Sequence, residues 1–185
     1  GLGDEIMFGT LLNETLQCCD HLVVEVDHRL VRLFSRAFPT AKVLPKGDSP
    51  SDVKTDAALL IGSFPSIFRL KKEDFGAGNP GYLTADSDLV ARFRSRIKTE
   101  GKIICGISWR SWNPVSADSR SVPLELFCRS IDVEGVVFVN LQYGGSAEDS
   151  RLPEFLGRTL LDFSDVNRTE DIDGVAALIA CCDVV

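Results

Sequence analysis

The chain has 185 residues, 44% hydrophobic and 25% charged, with a formal net charge of −7; this is ordinary globular composition, with length enough for one large core or two small ones. The acidic balance excludes a general nucleic-acid binder, because no basic excess exists to neutralise a phosphate backbone, although a local arginine pocket for one small phosphate ligand stays open. No apolar run approaches the roughly 18–20 residues that span a bilayer and no signal-peptide pattern opens the chain, so the expectation is a cytoplasmic protein without a transmembrane segment.

The chain opens in Gly1-Leu2-Gly3-Asp4-Glu5, a loop-to-helix signal with no strand before it. Ile6, Met7, Leu11, Leu12 and Leu16 then recur at helical spacing. Leu22–Val26 is a short apolar run suited to a buried strand. Leu30, Val31, Phe34, Ala37 and Phe38 mark one face of a second helix, which Pro39 ends. Ala41–Leu44 and Ala57–Ile61 are the next predicted strands, separated by a polar surface loop over Gly47–Thr55. From Gly62 to Leu83 the pattern weakens, and Gly76, Gly78, Pro80 and Gly81 predict an irregular connection.

A helix beginning near Asp86 or Ser87 turns Leu89, Val90, Phe93 and Ile97 inward and stops at Gly101. Its outer face carries Arg92, Arg94, Arg96 and Lys98, a solvated face. Lys102–Ser108 reads as a buried strand, followed by a polar loop. Pro123 opens a helix through Leu124, Leu126, Phe127 and Ile131. Val136–Leu141 is the clearest strand. Leu152–Leu156 suggests a short helix, Thr159–Leu161 a short strand, and Asp171–Ala180 an amphipathic helix feeding a strand at Asp183–Val185. Both ends of the chain fall at core elements, which reads as a fragment cut short on each side. The six cysteines, Cys18, Cys19, Cys105, Cys128, Cys181 and Cys182, lack zinc-site spacing and lie mostly in apolar stretches, so they read as small buried hydrophobes and no metal is expected.

Strands alternating with helices imply βαβ units and parallel sheets. The expected fold class is α/β, with two Rossmann-like halves: residues 1–85, and residues 86–185 carrying the start of a nucleotide-sugar domain. Ligands of such sheets gather at the carboxyl ends of strands, which singles out a few loops. In the first, Asp4 sits near a helix N-terminus that favours its ionised form, so it is either a helix cap or a proton acceptor for a substrate hydroxyl. In the second, Trp109, Arg110, Arg120 and Ser121 lie between a strand and a helix, offering guanidinium forks and hydroxyls for a phosphate. The plainer alternative there is a surface loop whose arginines pair with Asp118, with Trp109 and Trp112 packed beneath it. In the third, Gln142 and Tyr143, ahead of Gly144, Gly145 and Glu148, have the hydrogen-bonding groups for a ribose or base. Gly62–Ser66 is either a simple turn or an acceptor contact, and His28 reads as a surface residue at a helix start.

Five stretches in register resemble the family 9, heptosyltransferase-like glycosyltransferases: Gly1-Leu2-Gly3-Asp4-Glu5-Ile6-Met7-Phe8, Ile61-Gly62-Ser63-Phe64-Pro65, Gly106-Ile107-Ser108-Trp109-Arg110, Arg120-Ser121-Val122-Pro123-Leu124 and Phe138-Val139-Asn140-Leu141-Gln142-Tyr143-Gly144. The resemblance implies a glycosyltransferase B architecture. It also implies inverting, metal-independent and cofactor-free transfer of a sugar from a nucleotide-diphosphate donor to a glycan, lipid or protein acceptor. On it Asp4 matches the general base, Arg120 and Ser121 face the donor phosphates with Arg110 as a second cation, and Gln142 and Tyr143 lie beside the nucleoside. The family's strand before the glycine turn and its segment after Val185 are missing, so weak or no turnover is expected of this chain alone, and the open sheet edge invites a homodimer. Two alternatives stand beside this reading: a non-catalytic, degenerate transferase module serving protein interaction, and another Rossmann-like nucleotide enzyme. The latter is disfavoured because Gly1-Leu2-Gly3 lacks the third glycine of a dinucleotide fingerprint.

Overall fold

Parallel strands need a crossover between them, and in each half of this chain a helix supplies it. The computed structural model describes residues 1–48, 54–75, 81–99, 101–111, 117–131, 133–144 and 160–185. Two compact units result, Gly1–Thr84 and Ala85–Val185, and the chain is α/β with two small parallel sheets.

The first unit begins with helices α1 (Leu2–Gly9) and α2 (Leu12–Leu16). Strand β1 (Val23–Val26) then passes through α3 (Val31–Ala37) to β2 (Lys42–Pro45), which pairs with it in parallel from Val23↔Lys42 to Val26↔Pro45. Val24 and Val26 point inward while Glu25 is exposed, the alternation of a strand with one covered face. Leu30, Leu33, Phe34 and Phe38 are buried from the α3 side, and the ring of Tyr82 lies 5.5 Å from Phe38 and 6.1 Å from Phe34. Tyr82 donates its hydroxyl to the Ile6 carbonyl at 2.7 Å, and burial raises its pKa. This packing demands a glycine at the end of α1, because a Cβ on Gly9 would stand 2.5 Å from the Tyr82 hydroxyl.

Two expectations in this unit are corrected. The continuous helical face from Ile6 to Leu16 is broken between α1 and α2, and Met7, expected inward, is 56% exposed. The strand expected over Ala57–Ile61 does not form: residues 57–60 belong to no regular element among the described residues, Ile61–Ser63 is a 3₁₀ turn, and Leu60 is 81% exposed. Leu60 has extended dihedrals, but an apolar run becomes a strand only where a neighbour takes its backbone groups. A short helix α4 (Pro65–Phe68) follows.

In the second unit, α5 (Ser87–Arg96) is capped by Asp86, whose carboxylate accepts from the amides of Asp88 and Leu89 at 3.0 Å. Strand β3 (Ile103–Ile107) leads through α6 (Leu124–Ser130) to β4 (Val136–Asn140), and β4 pairs with β5 (Leu160–Leu161). Helix α7 (Ile172–Ala180), capped by Asp171, then returns the chain to the far side of β3, where Val184 forms a parallel bridge with Cys105. The spatial order is thus Val184, β3, β4, β5.

Both faces of this sheet are covered. Ile104, Val139 and Leu141 pack with Phe93, Ile97, Ala177, Leu178 and Cys181 of the α5 and α7 side. Ile107 and Phe138 pack with Trp109, Leu124 and Cys128 of the α6 side. Burial on both faces explains why β3 and β4 read as continuous apolar runs. Leu126 is 56% exposed, and Leu124 and Cys128 are the buried positions on α6. The outer face of α5 is exposed as expected, with Arg96 forking onto Asp165 at 2.8 and 2.9 Å and lying 4.5 Å from the Phe163 ring centre. The expected helix at Leu152–Leu156 lies outside the described residues.

Candidate functional site

The second sheet runs outward from β3 to β4 to β5 and then returns to the opposite side of β3. Such a reversal sends neighbouring connections apart and leaves a crevice at the carboxyl ends of the strands. The segment that leaves β3 there is Ser108–Ser111.

One side chain organises it. Gln142, 5% exposed, follows β4 directly. Its Oε1 accepts from the Ser108 hydroxyl at 3.1 Å, the Trp109 amide at 3.0 Å and the Arg110 amide at 2.9 Å. Its Nε2 donates to the carbonyls of Arg110 at 3.0 Å and Tyr143 at 2.8 Å. The carboxamide is therefore engaged at both ends by the protein. In this arrangement Gln142 fixes the loop that carries Arg110.

A second seam joins the same loop to the segment entering α6. Ser121 Oγ accepts from the Ser111 amide at 3.1 Å, and the Val122 amide donates to the Trp109 carbonyl at 2.9 Å. Trp109 is 4% exposed, stacked on Phe127 at 6.0 Å, with a buried indole N–H that meets no acceptor among the described residues. It packs beneath the loop and is not displayed for stacking on a ligand. Arg110 is half-buried, Arg120 is exposed, and Tyr143 is 39% exposed just before Gly144, whose φ is +70°. The structure thus brings Arg110, Ser121 and Gln142 into one bonded unit, with Arg120 and Tyr143 their chain neighbours. Trp112, Gly145, Glu148 and the side chain of Asp118 lie outside the described residues.

Sequence reasoning missed what stands behind Gln142. Asn140 Oδ1 accepts from the Gln142 amide at 2.9 Å, and Asn140 Nδ2 donates to Asp162 at 3.2 Å. Arg168 donates from Nε to the Asn140 carbonyl at 3.0 Å and from Nη2 to Asp162. A polar residue closing an apolar strand was the only local signal.

In the first unit, Asp4 is exposed in the first turn of α1. Glu5 beside it is 4% exposed and accepts from the Asp27 amide at 2.7 Å and from Lys46; this ties α1 to the carboxyl ends of both β1 and β2. Asp27 receives the Arg29 side chain from Nε and Nη2, each at 2.8 Å, which holds its carboxyl well below the ordinary range. Lys46 is held up in turn by Glu5. His28 is 72% exposed in its side chain, 3.4 Å from Asp27. Among the described residues no group of three or more His, Cys, Asp or Glu side chains is placed to hold a metal, and no helix is long and apolar enough to cross a membrane.

No family model matches this sequence, and no solved structure matches it. The chain is similar to protein FlbA of Caulobacter vibrioides, with 30% identity over 206 aligned positions. The alignment takes in all of this chain and 34% of FlbA, so the chain spans about a third of that relative's length.

Proposed function

We propose that this chain is part of a glycosyltransferase of the B type, similar to the family 9 enzymes, that moves a sugar from a nucleotide-diphosphate donor to an acceptor hydroxyl on a glycan, lipid or protein. The observation that carries the reading is the clamped Ser108–Ser111 loop at the carboxyl end of β3, where the strand order reverses. A diphosphate is the leaving group of such a transfer, and fixed cations beside it stabilise the charge that develops as the bond to the sugar breaks. Arg110 and Arg120 supply the guanidinium groups and Ser121 a hydroxyl, on a backbone locked by Gln142. Tyr143 lies on the nucleoside side. Asp4 is the proton acceptor for the incoming hydroxyl. The two units are then the two Rossmann-like halves, the first serving the acceptor.

Calorimetric titration of the chain with uridine, cytidine, guanosine and adenosine diphosphates tests this. Saturable binding of at least one, weakened about tenfold or more by Arg110→Ala or Arg120→Ala, is expected for a lost charge-assisted contact. Absence of binding to all four overturns the donor site.

A second reading, binding without turnover, has one observation in its favour. Asp4 is exposed, whereas burial is the usual means of raising a carboxyl toward the neutral range in which a general base works best. Sugar transfer measured for Asp4→Asn separates the two: an enzyme loses most of its rate with nucleotide binding kept, and a binding module is unchanged.

A further inference from the structure

Arg168 is remote from the loop that would hold the donor, yet hydrogen bonds connect the two without a gap. Its side chain is 14% exposed, a strongly buried guanidinium in the turn between β5 and α7. It grips the Asn140 carbonyl with Nε and the Asp162 carboxylate with Nη2. Asp162 accepts only, so the Asn140 amide must turn Nδ2 toward it and Oδ1 toward the Gln142 N–H. Gln142 is oriented as strictly: Oε1 faces three donors and Nε2 faces two carbonyls. Neither amide can be reversed without setting like groups against one another.

We propose that Arg168, with Asp162 and Asn140, is a positioning group for the β3 loop, setting Gln142 and through it the backbone of Trp109 and Arg110. The function this serves, presentation of Arg110 to a nucleotide diphosphate, rests on the reading given above. A simple brace between the end of β5 and the turn into α7 would use the same ion pair, but it would not require the chain of oriented amides that ends on the loop.

Amide hydrogen exchange of the full chain, read by NMR, separates these. Arg168→Gln should speed exchange of the Trp109 and Arg110 amides about tenfold, the scale of one lost hydrogen bond to a charged group, while amides within β3 and β4 keep their rates. Arg168→Lys, which keeps the charge for Asp162 but lacks the planar fork needed to reach the Asn140 carbonyl as well, should fall between. Unchanged loop amides, or equal acceleration in the strands, overturns the proposal. In parallel, Arg168→Gln should weaken about tenfold the binding of whichever of the uridine, cytidine, guanosine and adenosine diphosphates the wild-type chain holds; equal binding by both proteins also overturns it. A wild-type chain that binds none of the four diphosphates counts against the functional reading instead, and the loop amides then decide the relay alone.

Discussion

Replacing Gln142 by leucine removes the side chain that holds Ser108, Trp109 and Arg110 of the loop. The change strips the amides of Trp109 and Arg110 and the carbonyls of Arg110 and Tyr143 of their partner. Each such loss costs about 1 kcal/mol, with the Ser108 hydroxyl free to turn to water. Leucine is of similar volume and returns part of this through apolar burial, so a net loss of about 3 kcal/mol is expected. Both tryptophans of the chain, Trp109 and Trp112, belong to the second unit, so tryptophan fluorescence during urea denaturation follows that unit selectively. A loss below about 1 kcal/mol would refute the reasoning, since it would mean that water replaces the carboxamide at no cost. Gln142→Glu provides the internal control. Its second oxygen would face the two carbonyls that Nε2 now serves, so it should destabilise the unit at pH 7 and recover partly below about pH 4, where a protonated carboxyl donates again.

Gly9→Ala should destabilise the first unit by about 1–3 kcal/mol despite alanine's better helix propensity, because the new Cβ meets the Tyr82 hydroxyl at 2.5 Å and Phe34 Cζ at 2.9 Å; thermal denaturation checks this. The Asp27 carboxyl has a folded pKa below its unfolded value. Its contribution is therefore complete above about pH 4 and lost as pH falls further, and Asp27→Asn should flatten the acid limb of the first unit's stability curve. Thiol titration of the native chain should find Cys18 and Cys19 fast, because both are exposed. Cys128 and Cys181 are buried, and burial pushes the Cys182 thiol up to about 11, so these should react only on unfolding.

The second unit was the more legible in the sequence, for a physical reason. Strands covered on both faces read as near-continuous apolar runs, so Ile103–Ile107 and the start of Val136–Asn140 stand out from their surroundings. Ala57–Ile61 carries the same signal and still does not become a strand, because pairing depends on a neighbouring backbone that periodicity does not encode. Arg110, Ser121 and Gln142 could be chosen as polar residues at strand ends. That Gln142 turns its amide onto a loop 32 residues earlier is a fact of packing, invisible until the strands are set side by side. Glu5 with Lys46, 41 residues apart, and Arg168 with Asn140, 28 apart, have no local signature for the same reason.

Uridine, cytidine, guanosine and adenosine diphosphates, each added in turn to the isotopically labelled chain with chemical shifts followed at each backbone amide, test the central claim most directly. The account predicts saturable shifts concentrated at Ser108–Ser111, Arg120–Ser121 and Gln142–Gly144, with the ends of β1 and β2 undisturbed. Saturable shifts confined to Gly1–Glu5 and Asp27–Arg29, or no shifts at any concentration, would contradict it.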